Sequence, residues 1–352
     1  MKFWDFRASI SHVGLVIVLS LVPVSGAWAQ PAPGSMDVHW DEGAANCTGN
    51  TQPALQVHAY DQHTFMLRQN LCATFEAPFI YLLIGSEKAL LIDTGDVADA
   101  TNMPLATTVL QLLPNVGTQN VGTQNPGTQK GAQKLPLLVV HTHRHLDHRA
   151  GDGQFTQLPN VQVAGFDIDS VRRFYRFTDW PNGVAQIDLG GRVVDAIPTP
   201  GHNETEVSFY DRNTGLFFSG DFLLPGRLLV DDTGAYIASA KRVAAFVKDR
   251  PVTYVLAGHV EKNADGELFP WESTFHPREH ALQLTKDDLL ALPGALEKFN
   301  GFYTVSGNFV MMNSMRILIA LSALILLALA AMVWLLVRYI KRRKRRLKAA
   351  IS

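Results

Sequence analysis

Between positions 141 and 148 the chain reads His141-Thr142-His143-Arg144-His145-Leu146-Asp147-His148. A lone histidine is more often an ordinary structural residue than a ligand. Three imidazoles and a carboxylate within positions 143–148 are another matter, because desolvating them together is costly unless a cation balances them. Imidazole and carboxylate suit a divalent transition metal of borderline hardness. Such a centre activates water at neutral pH and polarises a carbonyl or phosphoryl oxygen, which is the chemistry of hydrolysis.

The elements that must position this cluster come next. Residues 137–140 are a short apolar run entered through Pro136, a buried strand that delivers the chain into the histidines. Other apolar runs end in the same way: one in Asp93-Thr94-Gly95, one before Pro200-Gly201-His202, one in Phe218-Ser219-Gly220-Asp221 and one in Ala257-Gly258-His259. A residue at a strand end can be aimed inward by the loop that follows. Strand-like runs at 65–67, 79–84, 89–92, 193–197, 207–210, 216–219 and 254–256 alternate with helical stretches at 98–113 and 239–249. That mixture predicts an α/β or α+β layered domain.

The spacing His143-x-His145-x-Asp147-His148 resembles the hallmark of the metallo-β-lactamase superfamily. A register beginning at His141 would need aspartate at position 145, so His141 is left over, at the strand end or behind the ligands. The later Gly-His and Gly-Asp turns match the family's further ligands in order. The resemblance covers residues 79–260 and implies a four-layer αββα sandwich of two mixed sheets. It also implies two divalent metal ions, zinc by default with iron or manganese as alternatives. His143, His145 and His202 would hold the first, Asp147, His148 and His259 the second, and Asp221 would bridge. Asp93 would stand behind the ligands. The nucleophile would be a hydroxide shared by the metals, and Asp147 would pass a proton to the leaving group. Asp221 places the chain with the glyoxalase II-like branch, which implies cleavage of an ester, thioester or lactone bond in a small molecule. The match to glyoxalase II is incomplete, since no convincing copy of its glutathione-binding basic residues is found. β-Lactam or phosphodiester hydrolysis on the same fold are the alternatives among enzymes. From a different class comes a non-catalytic metal-binding module tethered to a membrane, against which a full set of seven ligands counts. Tyr236, Trp271, His276, His280 and Tyr303 could line a cleft, but packing roles are the better reading for each.

The two ends carry their own signals. A mean hydropathy of +0.05 over 352 residues is high for a soluble protein. Lys2 and Arg7 precede an apolar stretch at 13–22 that ends in Ala27-Trp28-Ala29, the pattern of a secretory signal peptide, with an uncleaved anchor as the alternative. Residues 317–337 carry no charge and are long enough to cross a bilayer. The basic run 341–346 follows at once, which orients the domain to the extracytoplasmic, periplasmic side and the tail to the cytoplasm. Residues 316–352 carry +9 of a net charge of −1, so the remainder is acidic and no nucleic-acid partner is expected. The organisation expected is a signal peptide at 1–29 and a flexible lead-in at 30–54. A hydrolase domain follows at 55–270, with a low-complexity Gly/Gln-rich insertion at 115–134, then its C-terminal extension at 271–315. A transmembrane helix at 316–338 and a basic tail at 339–352 complete it. Cys47 and Cys72 are the only cysteines, and an oxidising compartment permits but does not require them to pair.

Overall fold

Runs such as Phe79-Ile80-Tyr81-Leu82-Leu83-Ile84 have no polar alternation, so their strands must be covered on both faces. A computed structural model describes residues 34–116 and 133–349 and shows how. The expected signal peptide, most of the repeat insertion and the last three residues lie outside the described residues.

Strands β1 (Leu55–Asp61), β2 (Thr64–Gln69), β3 (Phe79–Ile84) and β4 (Ala89–Ile92) form an antiparallel meander. Helix α1 (Leu105–Leu112) and a small ribbon, β5 (Asn115–Val116) with β6 (Gln133–Lys134), precede β7 (Leu137–Val140) and β8 (Val161–Val163). Both of those add in parallel, giving a first sheet ordered β1-β2-β3-β4-β7-β8. After α2 (Ile168–Tyr175) come β9 (Ala185–Asp188), β10 (Val193–Pro198), β11 (Val207–Asp211) and β12 (Leu216–Gly220). Then follow β13 (Arg227–Leu229), α3 (Thr233–Val247), β14 (Tyr254–Ala257), β15 (Gln283–Leu284) and α4 (Lys286–Leu296). The second sheet is ordered β15-β14-β12-β11-β10-β9, with β12 and β14 parallel. A third, small sheet joins β13 to a C-terminal hairpin of β16 (Tyr303–Ser306) and β17 (Phe309–Met312), which runs into α5 (Ser314–Ala349).

Side-chain alternation explains the layers. Phe79, Tyr81 and Leu83 of β3, with Leu90 and Ile92 of β4, join Phe209 and Phe217 of the second sheet in one core. Ile80, Leu82 and Ile84, with Ala89 and Leu91, point the other way and pack with Leu105 and Val109 of α1. Tyr236 and Val243 of α3 and Leu289 and Leu292 of α4 cover the second sheet. This is the expected αββα sandwich of two mixed sheets.

The parallel pairs decide where chemistry can sit. β4 and β7 end together at Ile92 and Val140, and β12 and β14 end together at Gly220 and Ala257. Cross-sheet bonds stitch these ends: Phe79 N donates to Gly258 O at 2.7 Å, and Val207 N to Thr142 O at 2.7 Å. At the opposite end Arg192 is the clamp. It donates to both carboxylate oxygens of Asp211, to Thr64 Oγ1 and to the carbonyls of His63 and Ile84, so one buried guanidinium ties the two sheets.

Residues 34–54, expected as a loose lead-in, pack against the domain. Trp40 sits edge-on to Phe79 with ring centroids 5.0 Å apart. Ala44 N donates to Thr274 O, and Cys47 is joined to Cys72 by a disulfide. The Ala44–Thr274 bond ties the N-terminal segment to the 271–315 extension, whose own β15 and α4 belong to the second sheet and its helical layer. The apolar residues of 317–337 lie within α5, which starts at an Asn313 cap: its Oδ1 accepts from Arg316 N at 2.8 Å. The helix is long and apolar enough to span a membrane, and none of its apolar window is buried.

Replacing Arg192 with Met strands the Asp211 charge in the core and is expected to cost about 3–5 kcal/mol. The measurement is thermal unfolding of the full chain in detergent; a melting temperature unchanged from the parent would refute the clamp.

Candidate metal centre

All seven expected ligands meet where the parallel pairs end. Loops leaving β7 bring His143, His145, Asp147 and His148; a turn after β12 brings Asp221, one after β14 brings His259, and the loop after β10 brings His202. Side chains separated by over a hundred positions fall into two groups. His143, His145 and His202 present their nitrogens within 4.8 Å of one another, and so do the donor atoms of Asp147, His148, Asp221 and His259.

Asp221 spans the two. Its Oδ2 is 3.9 Å from His143 Nε2, 3.6 Å from His202 Nε2 and 3.3 Å from His259 Nε2. Its Oδ1 is 3.4 Å from His148 Nε2, without the geometry of a hydrogen bond. Asp147 Oδ2 lies 3.2 Å from that same nitrogen.

Do these residues fit cations? Three ring nitrogens converge in the first group, with His145 Nδ1 2.9 Å from His143 Nε2 and 3.1 Å from His202 Nε2. At that range a proton on one ring or a cation among the three must lie between the lone pairs. In the second group His148 Nε2 and Asp221 Oδ1 are buried and have no hydrogen-bond partner among the described residues. Buried polar atoms of a native protein rarely lack one. Both groups therefore fit divalent cations, and imidazole with carboxylate is a donor set for zinc, iron or manganese.

Electrostatics separate the groups. Burial pushes His143 well below the usual imidazole range, and His148 pushes the same way. Burial and neighbouring His202 also lower His145. At His148 burial opposes charge too, but Asp147, Asp221 and Asp93 outweigh it and raise the imidazole well above its ordinary value. Burial is likewise overcome at His259, where Asp221 holds the ring up at about 10. Asp221 itself stays ionised against burial, far below the carboxylate range, because His259 and His148 face it. His143 and His145 are thus neutral imidazoles, ready to donate lone pairs. The second group demands positive charge, which a divalent cation supplies as it displaces protons from the rings.

The surrounding side chains fix these orientations. Asp93, expected behind the ligands, accepts from Thr142 N at 2.7 Å and from Thr142 Oγ1 at 2.9 Å, and its Oδ2 is 2.8 Å from His148 Nδ1. A carboxylate on the far nitrogen sets the tautomer of a ligating imidazole. Asp93 has φ +67°, a left-handed conformation uncommon outside glycine and held here by those three contacts. The carbonyl of Leu229 is 3.1 Å from His202 Nδ1 and plays the same part. His141 stands apart from both groups, its Nε2 2.8 Å from Asp152 Oδ1.

Several contributors were not singled out from the sequence. Thr142 lies between two histidines that drew attention away from it, and Asn203, whose Nδ2 is 3.1 Å from His145 Nε2, directly follows His202. Glu261 follows His259 by two positions, with its Oε1 3.5 Å from His259 Nδ1. Glu76 gave no signal at all. It forms a third group with His259 and Glu261, and burial raises its carboxyl to about 7. Glu76 and Glu261 line a pocket beside the centre with Arg227, Trp271 and His276; the Arg227 guanidinium lies 4.4 Å over the Trp271 ring.

Comparison with known proteins gives one consistent result. The sequence model of the Metallo-beta-lactamase superfamily matches residues 73–259. Human acyl-coenzyme A thioesterase MBLAC2 is 25% identical over 228 residues, 56% of this chain and 77% of the human one. A hydroxyacylglutathione hydrolase of Rhodobacter capsulatus is 31% identical over 150 residues, 40% of this chain and 56% of its own. Among solved structures, a metallo-beta-lactamase from Pontibacter korlensis aligns with a TM-score of 0.44 and 15% identity, over 70% of this chain and 100% of that one.

Gly258 lets the backbone pass close behind the second group: a Cβ there would stand 2.6 Å from Asp221 Oδ1 and 2.7 Å from His148 Cε1. Gly258→Ala is expected to displace Asp221 and halve the bound metal measured by elemental analysis. Unchanged stoichiometry would show that the close approach is not needed.

Proposed function

We infer the reaction from one premise: the chain belongs to the metallo-beta-lactamase superfamily and is a hydrolase. Our reading is that it cleaves an ester, thioester or lactone bond of a small molecule at a dinuclear metal centre. The observation that carries this is Asp221, a buried carboxylate reaching both groups of donors.

In this reading His143, His145 and His202 hold one cation, Asp147, His148 and His259 hold the other, and Asp221 lies between, with zinc as the expected metal. Bound there, the pair supplies an acidified water and a Lewis acid for the scissile carbonyl. The chain does the rest. Asp93 and the Leu229 carbonyl lock the rings of His148 and His202 in the tautomers that leave Nε2 free. Buried His143 and His148 exclude bulk water from the reacting side. Asp147 is the most open of the carboxylates in the two groups, its side chain 21% exposed, and its Oδ atoms are placed to carry a proton to the leaving group. The relatives named as acting on thioesters support that bond class over a β-lactam. A bridging aspartate supports it from the chain's own residues.

We place the catalytic domain on the extracytoplasmic side of a membrane. The basic run 341–346 after the apolar helix and the Cys47–Cys72 disulfide, a bond suited to an oxidising compartment, support that orientation independently.

The test is a panel of p-nitrophenyl esters, acyl thioesters, lactones and nitrocefin, assayed with the full chain before and after chelation. Turnover of an ester, thioester or lactone should vanish with chelator and return with zinc. Asp221→Ala should lower kcat by about 10²-fold or more, as loss of one transition-state contact does. Turnover that survives chelation, or activity confined to nitrocefin, would overturn the reading.

A further inference from the structure

The third sheet links the metal centre to the membrane helix by a short path. The Leu229 carbonyl that orients His202 belongs to the last residue of β13, and Leu229 pairs with Met312, the last residue of β17. Asn313 follows, donating from Nδ2 to Val230 O at 2.7 Å, and α5 begins at Ser314. β13 and β17 are parallel, so moving along β13 from Arg227 to Leu229 is moving toward the helix. With strands about 4.8 Å apart and about 3.3 Å per residue, His202 stands within about 20 Å of the first turn of α5.

The hairpin beside that turn is patterned inside out. In β16 the apolar Tyr303 and Val305 are exposed, 47% and 59%, while Thr304 and Ser306 are the more sheltered pair. A half-buried antiparallel strand ordinarily turns its apolar residues to the core. Tyr303 pairs with Met312, so the strand starts at the helix end of the hairpin, and Phe302 there is 48% exposed with its carbonyl bonded to Asn313 N. The patch runs on into exposed Met315, Leu318 and Ile319 of α5, the surface a bilayer would cover. Exposed aromatics flanking an apolar helix suit the headgroup layer. Beside the metal ligands, Leu146 is exposed as well, between His145 and Asp147.

Resting on the hydrolase and membrane readings above, we propose that residues 302–305 lie on the bilayer surface, and that the centre cleaves an amphiphilic ester or thioester whose apolar chain remains in the membrane. The aliphatic chain gives the substrate its affinity for this surface; the cut bond lies in the polar head, within reach of His202 and Asp221.

The test uses the full chain in vesicles of phosphatidylcholine and phosphatidylglycerol. Both native cysteines are in the disulfide, so Val305→Cys takes a single nitroxide label. The label is expected to meet dissolved oxygen and escape a water-soluble nickel complex. A label open to nickel, or shielded from both reagents by protein, overturns the docking. In parallel, the double variant Phe302→Asp, Val305→Asp should keep its turnover of a short, soluble ester or thioester while turnover of a long-chain one in the vesicles falls about tenfold or more. Equal rates on both substrates overturn the amphiphile. A parent chain that cleaves no ester or thioester overturns the amphiphile, and one that cleaves no ester, thioester or lactone overturns the proposed function with it, while the label still decides the docking.

Discussion

Asp221 is a carboxylate buried to 5% exposure that remains ionised because the imidazoles of His259 and His148 face it. Desolvating such a charge costs several kcal/mol unless it is paired, so its position constrains everything around it. Two sheets must end at the same place to bring His143, His145 and His148 from one side and His202 and His259 from the other. The backbone must pass behind it without side chains, as Gly258 allows, and at Gly220, where φ is +55° and a Cβ would meet Thr142. The sandwich is held shut at the far end by Arg192, and the near end gathers the buried imidazoles and carboxylates of the candidate metal centre.

The order in which the sequence yielded this arrangement follows the physics. The ligands were legible because the His143-x-His145-x-Asp147-His148 spacing resembles a known family, and the later Gly-His and Gly-Asp turns at strand ends follow in that family's order. The layered α/β character was legible because β3 and β4 are apolar on both faces and must be covered on both, while the four-layer sandwich followed from the family that the histidine motif resembles. What escaped was set by tertiary contact. Thr142 matters through its two bonds to Asp93, forty-nine positions away in sequence. Glu76, in the loop between β2 and β3, meets His259 and Glu261 only once the chain is folded. The segment 34–54 is rich in turn-forming residues, yet the Trp40 contact and the disulfide tie it down. The helix at 98–113 is shorter than its pattern suggested, beginning at Leu105 after Pro104.

The candidate metal centre and the long apolar helix are joined through one small sheet. β13, at one edge, carries the carbonyl that faces His202, and β17, at the centre, leads into α5. The C-terminal extension thus completes the second sheet, pairs β17 with the strand whose carbonyl faces His202 and leads into the long apolar helix, so its position after the family-matched region is no measure of its importance.

The central claim is that two cations occupy the space around Asp221. Anomalous diffraction from crystals of the purified chain, at the edge of whichever transition metal elemental analysis finds, addresses it directly. The account predicts two peaks about 3.5–4 Å apart, one amid His143, His145 and His202 and one amid Asp147, His148 and His259. A single peak, or none between these side chains in a metal-replete preparation, would contradict it.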